Sequence, residues 1–196
     1  MVASSRSDIL SVLLKDKKFI RFLVKFLLLF AIFYLGTELV IGLAAPGGMY
    51  SKFVDHYFDY VSGISNTLVF GTQAFLSMLG YETYTADNFV VRLVGGSGVR
   101  IAFGCVGYGV MSFWLAYILA VSKKWTAKLV WLVGGWLFLW IINVVRIGLL
   151  VLAYNKGWGM PLGIDHHTWF NIVAYCAIFS MMYFFEKKPK QTNAHH

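Results

Sequence analysis

The sequence predicts an all-α polytopic membrane protein with about four transmembrane helices, additional re-entrant or interfacial helices, and a short extracytoplasmic β-hairpin. Three observations predict this class. Hydrophobic residues make up 59% of the 196 residues and charged residues only 13%, which is too apolar for an ordinary soluble domain. Long apolar segments recur, several near the 20 or so residues that a spanning helix needs. Lysines cluster beside these segments. We therefore expect one integral membrane domain over residues 1–196.

Four apolar segments are the predicted spans. The first, residues 19–44, follows a basic stretch, as a secretory signal does, but it is longer than a signal core and is predicted to remain as an anchor. The other three lie in the part of the chain that we expect to be catalytic, residues 105–185, and are Val106–Val121, Leu129–Tyr154 and Trp169–Phe185.

The lysine clusters predict the orientation of the chain. Four spans place all three clusters on one side of the membrane, and basic loops favour the cytoplasmic side. The net charge of +8 is then explained by lipid headgroups and topology, so nucleic-acid binding is not expected. Both termini, a basic segment at 1–18 and a basic tail at 186–196, are predicted to be cytoplasmic in the plasma (inner) membrane. The clusters comprise Lys15, Lys17 and Lys18; Lys123, Lys124 and Lys128; and Lys187, Lys188 and Lys190.

The region between the first two spans has two parts. Residues 50–80 mix aromatic, charged and apolar side chains and predict interfacial or re-entrant helices, since a single crossing here would separate the lysine clusters. In residues 81–104, β-prone runs at 89–94 and 99–103 flank a glycine-rich turn and predict a hairpin. Hydrocarbon excludes open strand edges, so this hairpin is expected in the extracytoplasmic aqueous or interfacial layer.

Three reactive residue types fall at corresponding ends of the last three spans. Cys105 lies at the beginning of one, Arg146 near the end of the next, and His167 just before the third. Because successive spans run in opposite directions, these residues are predicted to share the extracytoplasmic face. A thiol, a fixed cation and an imidazole are suited to acyl transfer.

Cys105 is the candidate nucleophile. The neighbouring Gly104 and Gly107 leave the sulfur unshielded, and the expected position at a helix N-terminus favours the thiolate. The alternative is an inert cysteine buried in a tight helix contact. A disulfide with Cys176 is not expected, because Cys176 is predicted to lie deeper in the membrane.

Arg146 is the candidate oxyanion-stabilising group. A guanidinium within the hydrocarbon region is costly unless it faces the bundle interior and finds a partner. Asn143, one turn earlier, lies on the same helical face and can support it. The alternative is a structural ion pair with Glu38.

The segment Asp165-His166-His167 supplies the candidate acid–base group. Asp165 can orient an imidazole, and His167 shares a helical face with Asn171. A histidine pair beside an acid can also bind a metal, but further ligands at metal spacing are not apparent, so no metal and no cofactor are expected. The plain alternative is a polar interfacial loop.

These motifs together resemble the exosortase/archaeosortase family of membrane transpeptidases. The resemblance consists of Cys-x-Gly opening a helix, Asn-x-x-Arg in the following helix and a histidine before the last helix, and it extends from about Phe89 to Phe184. It implies that the nucleophile is Cys105, the arginine Arg146 and the histidine His167. His166 is an alternative, because the histidine pair allows a shift of one residue.

The resemblance also implies a function. Members are membrane cysteine proteases or transpeptidases that cleave a C-terminal sorting signal of a surface protein through a thioester and transfer the protein to an acceptor. The expected partners are therefore a membrane-anchored substrate, the lipid bilayer and an acceptor that the sequence does not identify. Two alternatives stay open: a non-catalytic scaffold with a buried network of arginine, glutamate and histidine, and a histidine-dependent lipid phosphatase. The phosphatase is disfavoured because the clusters that would surround its phosphate are absent from the sequence.

Overall fold

The computed structural model of the protein describes residues 16–45, 49–86, 89–159, 163 and 166–187, without the side chains of His166, His167 and Phe170. The basic segment before residue 16, the tail after residue 187, and Asp165 lie outside the described residues. The described chain is mostly helical. Its helices are α1 (Lys17–Ala44), α2 (Lys52–Tyr57), α3 (Tyr60–Met78), α4 (Tyr108–Ala120), α5 (Trp125–Lys156) and α6 (His166–Glu186), with a short 3-10 helix at Phe103–Cys105.

Two of these helices, α1 with 28 residues and α5 with 32, are long and apolar enough to cross a membrane. The predicted second span forms a shorter helix than the sequence suggests: α4 has 13 residues, about 20 Å at 1.5 Å per residue, against a hydrocarbon core of about 30 Å. Within α6, the described stretch Asn171–Glu186 is apolar but shorter than α1 and α5. The described helices are thus consistent with a helical membrane protein, and a count of four spans remains a prediction.

Contacts at both ends of α4 fix its direction relative to α1. Lys25, early in α1, donates from Nζ to the carbonyl oxygen of Leu119 at 2.9 Å, near the end of α4. Late in α1, Glu38 accepts a hydrogen bond from the hydroxyl of Tyr108, the first residue of α4. Hence α1 and α4 are antiparallel.

The last helix runs in the same direction as α4. The Tyr117 hydroxyl donates to Glu186 Oε1 at 3.1 Å, and Lys123 Nζ lies 3.5 Å from Glu186 Oε2. The first contact joins the end of α6 to the end of α4, and the second joins it to the loop that follows α4. The beginning of α6, at His166, therefore lies toward the end of the bundle at which α4 begins.

Two apolar clusters hold these helices together. One surrounds the buried indole of Trp114 where α4, α5 and α6 meet, and includes Leu139 and Ile178. The other joins α3 to the second half of α5. In α3 its residues recur at helical spacing, so the helix buries one stripe and exposes the rest. This second cluster includes Leu68, Leu76, Val91, Ile101, Val106, Ile147 and Val151.

A three-stranded antiparallel sheet occupies the region where the sequence predicts a two-stranded hairpin. Strand β2 (Val90–Leu93) pairs with β3 (Gly98–Arg100), and the additional β1 (Thr83–Ala86) pairs with the other edge of β2. The sequence prediction missed β1 because its four residues, with two threonines, form no apolar run. The inner face of β2 packs on the core, since Val91 is fully buried.

An asparagine at the end of α5 fastens this sheet to the bundle. Asn155 Nδ2 donates to the carbonyl oxygen of Ser97 at 3.0 Å, and its Oδ1 accepts from the Ser97 backbone N–H at 2.6 Å. The same amide also bonds the Val151 carbonyl one turn earlier at 2.7 Å. Because α5 is longer than a bilayer core, its last turn reaches the sheet and holds the turn between β2 and β3.

Candidate active site

Cys105 is the last residue of the 3-10 helix and precedes α4 by three residues. This corrects the prediction that it opens the helix. The N-cap of α4 is Gly107, whose φ of 81° is left-handed, a conformation that glycine adopts without the steric penalty of a side chain. The backbone therefore changes direction between Cys105 and the first turn of α4, and the helix dipole acts from further away than the sequence suggests.

Cys105 is partly exposed. Cys105 is half-buried, Cys176 further along the chain is exposed, and neither forms a disulfide. Beside it, Gly104 is exposed, and a Cβ built on it would meet no atom within 4 Å. Cys105 thus lies beside an open position of the chain, while it also packs against the apolar cluster that joins α3 to α5.

Asn143 holds the backbone of Cys105 in place. Its Nδ2 donates to the carbonyl oxygens of Cys105 at 2.8 Å and of Val106 at 3.0 Å. The Asn143 residue is only 1% exposed, so both bonds are shielded from water. A buried amide with both hydrogens donated to one loop fixes that loop relative to α5.

Arg146 reaches the sulfur of Cys105 from the next turn of α5. Its Nη2 lies 4.0 Å from Cys105 Sγ, and its Nη1 lies 3.4 Å from Asn143 Oδ1. The half-buried guanidinium therefore faces the bundle interior beside the thiol. The structure thus brings together three of the predicted site residues: Cys105, Asn143 and Arg146.

Glu38 is occupied elsewhere. Its carboxylate accepts from Tyr108, whose ring also lies 5.5 Å from that of Tyr34. Within the described parts of the chain, the one ion pair closer than 4 Å joins Lys123 to Glu186. The alternative pair between Glu38 and Arg146 is therefore not formed, because α1 directs Glu38 toward α4 rather than α5.

His166 and His167 form the first two residues of α6. The sequence prediction placed them ahead of the last span, whereas the helix begins with them. Their side chains, and Asp165 entirely, lie outside the described residues. The backbone places both histidines toward the end of the bundle at which Cys105 lies, and leaves the choice between them open.

Two clefts border the site. The first, the α5–α6 cleft, has a volume of about 470 Å³ and is apolar except for Arg146. The second, the glycine-side cleft, has a volume of about 270 Å³ and contains the glycines around Cys105 together with polar groups of α1 and α6. Side chains along the α5–α6 cleft include Ile142, Val145, Leu149, Trp158, Trp169 and Val173; those along the glycine-side cleft include Tyr34, Tyr108, Asn171 and Tyr175.

No group of three or more histidine, cysteine, aspartate or glutamate residues in the described ranges is arranged to hold a metal ion. The chemistry that the described residues offer is that of a thiol beside a guanidinium.

The sequence model of the transmembrane exosortase family matches residues 19–184. The chain therefore belongs to this family, and the match begins well before Phe89, where the sequence resemblance was thought to start. Membership implies a sortase-like transpeptidase role in general terms, in a membrane protein. Comparisons with curated proteins and with solved structures give no match.

Sequence reasoning missed two residues, Tyr108 at the site and Asn155 at the sheet, and one role of Asn143. For Asn143, the sequence predicted support of Arg146 but not the hydrogen bonds to the backbone of Cys105 and Val106. Tyr108 was given no role, although its position three residues after Cys105 places it at the site. Asn155 gave no signal, because its partner is a backbone turn 58 residues away in sequence.

Proposed function

We propose that this protein is a membrane cysteine transpeptidase that cleaves a C-terminal sorting signal from a surface protein and transfers the protein to an acceptor. The observation that supports this most is the contact of Arg146 with the Cys105 sulfur at 4.0 Å in a member of the exosortase family. The same contact weighs against a scaffold held by an ion pair between Arg146 and Glu38.

The reaction begins with attack by the Cys105 thiolate on the scissile carbonyl carbon. Negative charge moves to the carbonyl oxygen, and the Arg146 guanidinium stabilises it. A guanidinium suits this role because it stays protonated through every step. Asn143 acts as a positioning residue, since it fixes the Cys105 carbonyl and supports Arg146.

The proton transfers are assigned to His167, with His166 as the alternative. As the tetrahedral intermediate collapses, the C–N bond breaks and the imidazolium protonates the leaving amine, so a thioester remains on Cys105. The neutral imidazole then takes a proton from the acceptor nucleophile, which attacks the thioester and releases the thiolate. Asp165 is assigned the orientation of the imidazole.

The substrate is proposed to be an integral membrane protein whose apolar helix docks beside the α5–α6 cleft. That cleft offers an apolar surface with a single cation, Arg146, among the described residues that line it. An apolar helix placed there leaves the preceding peptide segment near Cys105.

The proposed topology has four spans, α1, α4, α5 and α6, with both termini cytoplasmic and the site on the extracytoplasmic face. The antiparallel course of α1 and α4 supports it, as does the location of the lysines Lys25 and Lys123 at the end of the bundle away from Cys105. The sheet and the end of α5 are then extracytoplasmic, and α2 and α3 lie in or near the outer interface.

The decisive experiment is co-expression of the protein with a candidate substrate that ends in an apolar helix and a basic tail. The wild type and Cys176→Ala should release the tail, whereas Cys105→Ala should accumulate uncleaved substrate. Mass spectrometry of the substrate locates the cut. Normal cleavage by a folded Cys105→Ala variant would exclude the mechanism. His166→Ala and His167→Ala, compared in the same assay, identify the acid–base residue.

A further inference from the structure

Two lysines converge on one carbonyl oxygen at the end of the bundle remote from Cys105. Lys25 Nζ of α1 and Lys128 Nζ of α5 lie 2.9 and 3.1 Å from the Leu119 carbonyl oxygen. The two ammonium groups are therefore at most about 6 Å apart, a separation at which like charges repel unless an anion is present. The Lys128 residue is only 6% exposed, whereas Lys25 is exposed, so water screens this repulsion from one side only.

No carboxylate of the described chain compensates these charges. The acidic groups at this end of the bundle are engaged: Asp16 accepts from the first backbone N–H groups of α1, and Glu186 binds Lys123 and Tyr117. The Leu119 carbonyl itself supplies only a partial negative charge, from the C-terminal end of α4. Each lysine has three donors, so donors remain for a further acceptor.

The surface around the lysine pair is apolar and exposed. On α1, Leu28 lies one turn after Lys25, so the two share a helical face, and Leu28 is 59% exposed. Trp125, 66% exposed, lies at the first turn of α5 with its ring 5.1 Å from Lys128 Nζ. An exposed tryptophan next to cations at the polar end of apolar helices is typical of the membrane interface.

We propose that Lys25 and Lys128 bind the phosphate of an anionic glycerophospholipid, whose acyl chains lie along the exposed apolar faces of α1 and α5. A phosphate oxygen can accept from both ammonium groups and supply the missing negative charge. The apolar surroundings favour a lipid over free phosphate, because only a lipid also covers the exposed Leu28 and Trp125. The site is independent of the chemistry proposed for Cys105.

The test measures thermal unfolding of the full-length protein in micelles doped with phosphatidylglycerol or phosphatidylcholine. Phosphatidylglycerol should raise the unfolding temperature of the wild type more than phosphatidylcholine does, because a ligand that binds only the folded state stabilises it. In Lys25→Gln the apparent affinity for phosphatidylglycerol should fall about tenfold, since one charge-assisted hydrogen bond is lost. Lys25→Arg should keep the response.

The matched control is Lys187→Gln, which removes the same charge from an exposed position at the same end of the bundle and should respond like the wild type. An equal loss of affinity for phosphatidylglycerol in Lys25→Gln and Lys187→Gln would mean that the effect depends only on net charge, and it would overturn the proposal. So would a wild type that does not distinguish the two lipids, a measurement that needs no variant. Inorganic phosphate at matched concentration is the third arm: an equal shift that depends on Lys25 would assign the site to free phosphate instead.

Discussion

The side-chain amide of Asn143 holds the carbonyl oxygen of Cys105 at 2.8 Å, so the backbone of the candidate nucleophile is fastened to the helix that carries Arg146. The amide and the guanidinium lie one turn apart on α5 and meet at 3.4 Å. One face of α5 therefore positions the loop that contains Cys105, and this sets the distance between the sulfur and the guanidinium. The geometry of the site depends on α5 more than on α4, which begins only after Cys105.

Asn143→Ala should destabilise the protein and reduce activity together. The substitution leaves the carbonyls of Cys105 and Val106 without donors in a buried place, at a cost of about 2–4 kcal/mol in the free energy of unfolding. Thermal unfolding in detergent measures the loss, and cleavage of a tailed substrate at low temperature measures the activity that remains. Asn66→Ala, on the exposed face of α3, is the control and should change neither. A stable Asn143→Ala variant with full activity would show that the hydrogen bonds from Asn143 to the Cys105 loop have no role.

Arg146→Ala should slow alkylation of Cys105. The guanidinium lies 4.0 Å from the sulfur, and its removal takes away a positive charge that favours the thiolate, which is the reactive form. A Cys176→Ala background leaves Cys105 as the sole thiol, so the rate of labelling by a charged alkylating reagent reports on it directly. The rate should fall about tenfold or more, and Arg146→Lys should lie between Arg146→Ala and the parent. Equal labelling rates in all three proteins would show that Arg146 does not influence the reactivity of the Cys105 thiol.

The meeting of Cys105 with Arg146 could be predicted from sequence because it follows from chain direction alone. Apolar segments that alternate in direction bring the start of one and the end of the next to the same face, whatever their packing. The beginning of α4 could not be predicted, because it depends on the left-handed backbone of Gly107, which a glycine permits but does not require.

Contacts between distant polar residues were beyond sequence analysis for a different reason. Glu38 had two candidate partners, Arg146 and the unconsidered Tyr108, and only the rotation of α1 about its axis selects Tyr108. Helical spacing shows which residues share a face, but not which neighbouring helix that face meets. The third strand escaped prediction because pairing with β2, rather than its own composition, makes it a strand.

Asn155→Ala should loosen the sheet without unfolding the bundle. The amide makes two hydrogen bonds to the backbone of Ser97 and one to Val151, worth about 1–3 kcal/mol together. Hydrogen exchange should become faster in the turn between β2 and β3, while α4 stays protected. Ser97→Ala is a sharp control, since Asn155 uses only the backbone of Ser97 and exchange there should not change. Faster exchange in both variants would locate the effect in the serine side chain instead.

Gly135→Ala should destabilise the bundle at the crossing of α4 and α5, whereas Gly134→Ala should not. A Cβ on Gly135 would lie 2.2 Å from Nε1 of the buried Trp114 indole, while one on Gly134 would meet nothing within 4 Å. The indole cannot move freely, because it is 1% exposed and donates to the Trp131 carbonyl at 3.1 Å. Overpacking of this kind costs about 1–3 kcal/mol, and alanine at the open position should gain up to about 1 kcal/mol from helix propensity. The two glycines are adjacent on one helix and the substitution is the same, so a difference in unfolding temperature measures the contact with Trp114 alone. Equal unfolding temperatures would mean that α4 and α5 do not approach each other as closely as the position of Trp114 requires.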